Sequence, residues 1–169
     1  MSTVVVVRKN GRACIAADSL TSWGSTKMNA AHLANNSKIV QVGDTYIGIT
    51  GATTHKFVIQ NYFSKCEEYS FNGKLDIFET WLKFHKVLKE EYHLNPKEND
   101  DDPYETSQMN VLLANPHGIF GIYALRSVDE FSRFWAFGSG TDYALGALFT
   151  CYDQFDNPED IARTAISAA

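Results

Sequence analysis

The sequence predicts an α+β sandwich, with stacked sheets carrying helices on their outer faces. Three observations predict it. Segments come in blocks (strands, two helices, strands, two helices) rather than as alternating β-α units. The helical segments keep apolar stripes, so they cover sheets instead of standing free. Residues 4–7 are four consecutive valines, followed at once by a turn and a second apolar run.

The 169 residues suit one domain over the whole chain, residues 1–169, large enough to bury a core. Hydrophobic residues make up 44% and charged residues 21%, ordinary values for a globular protein. Fifteen basic and twenty acidic side chains leave a net charge of -5, and no basic stripe is present, which argues against nucleic acid as a partner. Only four valines precede Arg8, too few for the apolar core of a signal peptide, and no run reaches membrane-spanning length. Cys14, Cys66 and Cys151 are odd in number and widely spaced, so neither a disulfide framework nor a zinc site is indicated. A cytoplasmic, reduced protein is the expectation.

Taken in order, the valine run and residues 13–18 form a hairpin about Asn10-Gly11. The chain therefore starts inside a sheet. Residues 19–37, rich in Ser, Thr, Asn and Gly, read as a long loop. Strands follow at 38–42 and 46–50, joined by Gly43-Asp44. A helix over about 53–66 carries Val58, Ile59, Tyr62, Phe63 and Cys66 at helical spacing. A second, over about 75–92, aligns Leu75, Phe78, Trp81, Leu82, His85, Leu88 and Tyr92 on one stripe. The acidic segment 95–106, with two prolines, is a surface loop. Strands resume at 109–114, 119–125 and 131–137, with Asn115-Pro116-His117-Gly118 as a turn. Gly138-Ser139-Gly140 leads into a helix over about 142–152, and Asn157-Pro158-Glu159 caps another that runs to the chain end.

The opening residues carry the chemistry. A Ser hydroxyl is a poor nucleophile until a base takes its proton, and a free α-amine on the same residue can be that base. The amine's ordinary pKa of roughly 7.7–8.0 suits catalysis near neutral pH. Ser2 at the head of a rigid strand meets this requirement once Met1 is removed. By itself Met-Ser is a weak signal.

Ser2-Thr3-Val4-Val5-Val6-Val7-Arg8-Lys9-Asn10-Gly11, then Ala16-Ala17-Asp18 and Gly24, resembles the N-terminal region of bacterial HslV and proteasome β subunits. Gly48-Ile49-Thr50-Gly51-Ala52-Thr53, Phe137-Gly138-Ser139-Gly140 and Arg163-Thr164-Ala165-Ile166-Ser167-Ala168-Ala169 resemble further segments of that family, in the same order and spacing. Within that family the chain resembles the HslV-derived proteasome homologues of betaproteobacteria. The resemblance implies a four-layer αββα sandwich of the N-terminal nucleophile hydrolase type, with its C-terminal strands missing from this chain. It implies an endopeptidase subunit of a cytoplasmic homo-oligomeric double ring of twelve or fourteen copies. Peptides or unfolded proteins would be its substrates, an unfoldase a possible partner, and no cofactor is required.

Residue by residue, Ser2 matches the family's N-terminal Thr nucleophile and Asp18 the acid that pairs with an active-site lysine. Lys38 is the match for that lysine, because Ser37-Lys38-Ile39 leads into the third strand. Gly51 matches the glycine whose N–H stabilises the oxyanion, and Ser139 the serine beside the N-terminal amine. Leu20, Thr21, Ser22 and Thr53 match positions along which an extended substrate adds as a strand.

The chain departs from the family in three ways. Its nucleophile is Ser, without the methyl group that limits rotation, so turnover is expected to be slower. Met1, if retained, would acylate the Ser2 amine and abolish the base. The family's further Asp and Ser, and its last strands, would follow beyond Ala169. These departures keep two alternatives open: a ring-forming subunit without activity, and an N-terminal-nucleophile amidase acting on small amides.

Outside the resemblance, Lys38 reads as an edge-strand lysine, and Gly51 and Gly138-Ser139-Gly140 as turn residues. The last is not a nucleophile elbow, whose spacing is Gly-x-Ser-x-Gly. The five histidines form no ligand set, and His85 reads as a core or interface residue. Glu98, Asp100, Asp101, Asp102 and Glu105 lack the glycine and spacing of a calcium loop, so a solvated loop is expected.

Overall fold

Four consecutive valines with no polar alternation need an apolar partner on both faces of their strand. The computed structural model, which describes residues 2–97 and 99–169, provides one on each side. The expectations that fall on Met1 and Glu98 lie outside those residues. Strand β1 (Thr3–Lys9) is central in a three-stranded antiparallel sheet, between β2 (Arg12–Ala17) and β10 (Phe134–Gly138). Val5 and Val7 pack against helices α3 (Thr141–Cys151) and α4 (Pro158–Ala168). Val4 and Val6 face the other way, onto Leu112, Ala114, Ile119 and Phe137.

Leu112, Ala114 and Ile119 belong to a five-stranded antiparallel sheet ordered β5 (Ile39–Val42), β6 (Thr45–Thr50), β7 (Asn110–Asn115), β8 (Gly118–Ile122) and β9 (Val128–Phe131). The outer face of that sheet buries Ile47, Val111, Leu113, Phe120 and Ile122 under α1 (Thr54–Phe63) and α2 (Lys74–Glu90). Four layers result, helix, sheet, sheet, helix, as expected from the sequence. The two sheets approach closely at Gly48, where a Cβ would lie 2.4 Å from Val4 Cγ1 and 2.9 Å from Ile15 Cδ1. A side chain there would push the N-terminal strand off its neighbour sheet.

Most element boundaries agree with the sequence reading. Asn10 and Gly11 have φ of 52° and 74°, the left-handed pair a tight hairpin requires. Asn157 accepts from Glu159 N at 3.2 Å as the cap of α4. Asn115 Oδ1 accepts from His117 N (2.9 Å) and Gly118 N (3.1 Å), closing the predicted turn.

Three expectations are corrected. The segment 19–37 is not all loop: β3 (Thr21–Trp23) and β4 (Thr26–Met28) pair about Gly24, and a single 3₁₀ turn spans Ala30–His32. Short polar strands leave no periodic apolar signal to read. The single strand expected over 131–137 is two, β9 in the large sheet and β10 in the small one. The chain crosses between sheets at Ser132-Arg133, and Phe131 stacks on Trp135 at 5.1 Å across that corner. On α2 the buried stripe is Ile77, Thr80, Trp81, Phe84, His85 and Leu88, while Leu75 is 78% exposed and Phe78 and Leu82 are also exposed. The expected stripe combined the buried row with its neighbour; which row turns inward depends on the sheet below.

Candidate active site

Ser2 sits immediately ahead of β1, at a strand end that both neighbours grip. Thr3 pairs with Gly138 across the β1–β10 ladder. Ser139 N donates to Ser2 O at 2.9 Å, and Ser2 N donates to Ser139 Oγ at 3.2 Å. Both backbone groups of Ser2 are thus held by the turn that follows β10. That turn needs glycine: Gly138 has φ 115°, and a Cβ on it would fall 1.8 Å from Ser2 O.

On the other side, Asp18 follows β2 directly. Its N donates to Thr3 O at 3.1 Å, Oδ1 accepts from Thr3 N at 2.6 Å, and Oδ2 accepts from Leu20 N at 3.0 Å. Both oxygens also lie 2.7 Å from Lys38 Nζ. The pair is shielded, with side chains 12% exposed for Lys38 and 19% for Asp18, so water screens it weakly. Lys38 is itself fixed, since its carbonyl accepts from Ile49 N at 3.1 Å and so joins the β5–β6 edge.

One cleft is lined by Ser2, Leu20, Thr21, Ser22, Lys38, Gly51 and Thr53. These seven come from four separate stretches of sequence. Asp18 and Ser139 stand one contact behind it, the first on Lys38 and the second on Ser2. Gly51 directly follows β6 with φ 128°, a conformation side chains rarely adopt, and a Cβ there would meet His55 Nδ1 at 2.9 Å. His55 is buried and its Nδ1 has no hydrogen-bond partner among the described residues, and burial lowers its pKa. It is a neutral wall behind the Gly51 backbone.

Sequence reasoning missed Asn35, Asn36, Ser37, Ile49, Ala52 and Lys56, which line the same cleft. Lys56 Nζ donates to Asn35 O at 3.1 Å, linking the first turn of α1 to the segment before β5. Its place three residues after the expected helix start was the one visible hint.

The remaining sequence candidates lie away from the cleft. All three cysteines are free, and burial raises the thiol pKa of Cys14 and Cys151, which disfavours thiolate. His85 is buried on α2, with Nε2 3.3 Å from Glu105 Oε2, and Lys89 Nζ lies 2.6 Å from both Glu105 oxygens. The Arg126 guanidinium donates to the Glu105 carbonyl. The acidic loop is therefore strapped to α2 at its C-terminal end. Among the described residues, no group of three or more His, Cys, Asp or Glu could hold a metal ion, and no helix is long and apolar enough to cross a membrane.

No protein-family model matches the chain. A curated relative, the ATP-dependent protease subunit HslV of Caulobacter sp. (strain K31), is 27% identical over 178 residues, covering 99% of this chain and 85% of the relative. The crystal structure of eukaryotic HslV from Trypanosoma brucei superposes with a TM-score of 0.68 over 98% of this chain and 88% of its own; at 20% identity it speaks for the fold alone. Thiobacillus denitrificans BPH is 45% identical, with a TM-score of 0.92 over 98% of this chain and 88% of its own. This chain belongs to the HslV and proteasome β-type peptidase family. It is an HslV-like protease subunit with the family's αββα sandwich. The same BPH protein in complex with Epoxomicin matches with a TM-score of 0.91. Ser2, Asp18 and Lys38 converge at the start of β1.

Proposed function

We propose that the chain is an endopeptidase subunit whose nucleophile is the Ser2 hydroxyl, freed by removal of Met1. The observation that supports this best is the cleft shared by Ser2 and a lysine held by both oxygens of Asp18. Without Met1 the Ser2 nitrogen is an α-amine, basic enough near neutral pH to take the hydroxyl proton. Lys38 provides the positive field that favours the ionised oxygen. Ser139, already 3.2 Å from that nitrogen, orients it.

The Ser2 oxygen attacks the carbonyl carbon of the scissile peptide bond, and the Gly51 N–H stabilises the oxyanion. The amine passes its proton to the leaving nitrogen, whose bond to carbon breaks. Water then attacks the resulting ester and restores Ser2. The substrate lies extended between Leu20, Thr21 and Ser22 on one side and Thr53 on the other. Among the described residues strand β3 has a strand neighbour only in β4, and its other edge suits β-strand addition.

The subunit works in the cytoplasm as a homo-oligomeric double ring of twelve or fourteen copies, within which peptides or unfolded proteins are cut. No step requires a cofactor. The Caulobacter relative's name, an ATP-dependent protease subunit, supports an unfoldase partner that supplies unfolded chain.

Intact-mass measurement after incubation with epoxomicin tests the reading, because the epoxyketone needs hydroxyl and α-amine together. The expected product is a chain lacking Met1 and carrying one adduct on Ser2, with peptide hydrolysis abolished. A chain that keeps Met1, takes no adduct and cuts no peptide would overturn it in favour of an inactive shell subunit.

A further inference from the structure

The cleft around Ser2 holds two lysines whose charges are met differently. Lys38 is neutralised by both oxygens of Asp18. Lys56 reaches a backbone dipole, the Asn35 carbonyl at 3.1 Å, and forms no ion pair among the described residues. One of its three ammonium donors is used there, and two are left for an incoming group.

Its surroundings leave the charge uncompensated. The first turn of α1 contains no acidic residue, and Thr53 makes no side-chain cap. The positive end of the α1 dipole therefore adds to the lysine rather than opposing it. A lysine in a helix's first turn breaks the usual charge preference, and such local violations collect at functional sites. The cleft's other polar lining, Thr21, Ser22, Asn36 and Ser37, is neutral. With Lys38 paired to Asp18, Lys56 is the lining side chain whose positive charge is left unbalanced among the described residues.

We infer that Lys56 is a specificity-determining residue, selecting substrates with a carboxylate side chain, Glu or Asp, at the residue whose carbonyl is attacked. That residue sits closest to Ser2, so its side chain is the one that enters this cleft. A glutamate carboxylate can take both free Lys56 donors in charge-assisted bonds, whereas glutamine offers a neutral acceptor and lysine meets repulsion. The inference rests on Ser2 being the nucleophile.

The test uses the Met1-processed, assembled protein with fluorogenic peptides that differ only in the residue before the scissile bond: Glu, Gln, Leu or Lys. The expected order of kcat/KM places Glu about five- to tenfold above Gln, and Lys last. Lys56→Met should erase the Glu-over-Gln difference, and Lys56→Glu should put the Lys peptide first, with melting temperatures near that of the parent. Equal Glu and Gln rates in the parent, or the same ranking after Lys56→Met, would overturn the role of Lys56 while epoxomicin still labels Ser2. Absence of both label and hydrolysis would instead overturn the nucleophile reading, and this inference with it.

Discussion

Lys38 Nζ lies 2.7 Å from both carboxylate oxygens of Asp18, and those oxygens also accept from Thr3 N and Leu20 N. One side chain thus joins the first strand, the start of the candidate substrate edge and the candidate activating lysine. The two residues are twenty positions apart in sequence, and the intervening hairpin lets them meet.

Replacing Asp18 should therefore separate electrostatics from architecture. Asp18→Asn keeps an acceptor for Thr3 N but loses the charge opposite Lys38. Peptidase kcat/KM is expected to fall about 100-fold or more with Tm lowered by only a few degrees. Asp18→Ala also leaves two backbone donors without their acceptor, which costs about 1–3 kcal/mol of stability. Steady-state kinetics with denaturant titration distinguishes the two, and full activity in Asp18→Asn would remove the pair from the mechanism.

At position 2, Ser2→Ala should reduce peptide hydrolysis to background and prevent labelling by epoxomicin, with folding intact. Ser2→Thr restores the methyl group that limits rotation and should raise kcat relative to the Ser parent. Initial rates against one peptide substrate decide both.

Gly138→Ala is expected to damage stability and activity together. The added Cβ would lie 1.8 Å from Ser2 O at a φ of 115°, so the turn must move and release Ser2. A loss of about 1–3 kcal/mol is expected from the backbone conformation, with kcat/KM reduced. Thermal melting and kinetics on the same preparation check it. A variant that melts normally and works normally would show that the turn's grip on Ser2 is dispensable.

Stability should decline as pH falls through the range where histidine titrates. Burial lowers the pKa of His85, aided by Arg126 and Lys89 against an opposing Glu105, and burial lowers that of His55. The unfolded chain then binds more protons than the folded one as pH drops below about 6.5, so unfolding free energy falls with pH. The contribution is present above the unfolded value and is lost below it. Tm recorded from about pH 7.5 to pH 5.5 should fall, and His85→Gln should flatten the slope. A parent Tm that rises toward acid would contradict this sign.

The block order of strands and helices, the valine run and the Asn10-Gly11 turn made the sandwich legible, because local geometry and a two-sided apolar strand leave direct marks in sequence. The candidate residues Ser2, Asp18, Lys38, Gly51 and Ser139 were legible only through likeness to a family, since each alone reads as an ordinary terminus, turn or edge residue. The strand pair at 21–28 and the split of 131–137 left weak marks: short polar strands have no periodicity, and a chain that changes sheets keeps its strand composition.

What the sequence determined by itself was local: where the chain extends, turns and coils, and that Ser2 heads a buried strand. Tertiary structure alone decided which row of α2 turns inward, that Asp18 grips Lys38, and that Lys56 stands in the cleft of Ser2 with a backbone carbonyl as its partner and no ion pair among the described residues. The physical reason is that residue type and spacing govern backbone conformation over a few residues. The charge balance of a cleft is a sum over groups brought together from four distant segments.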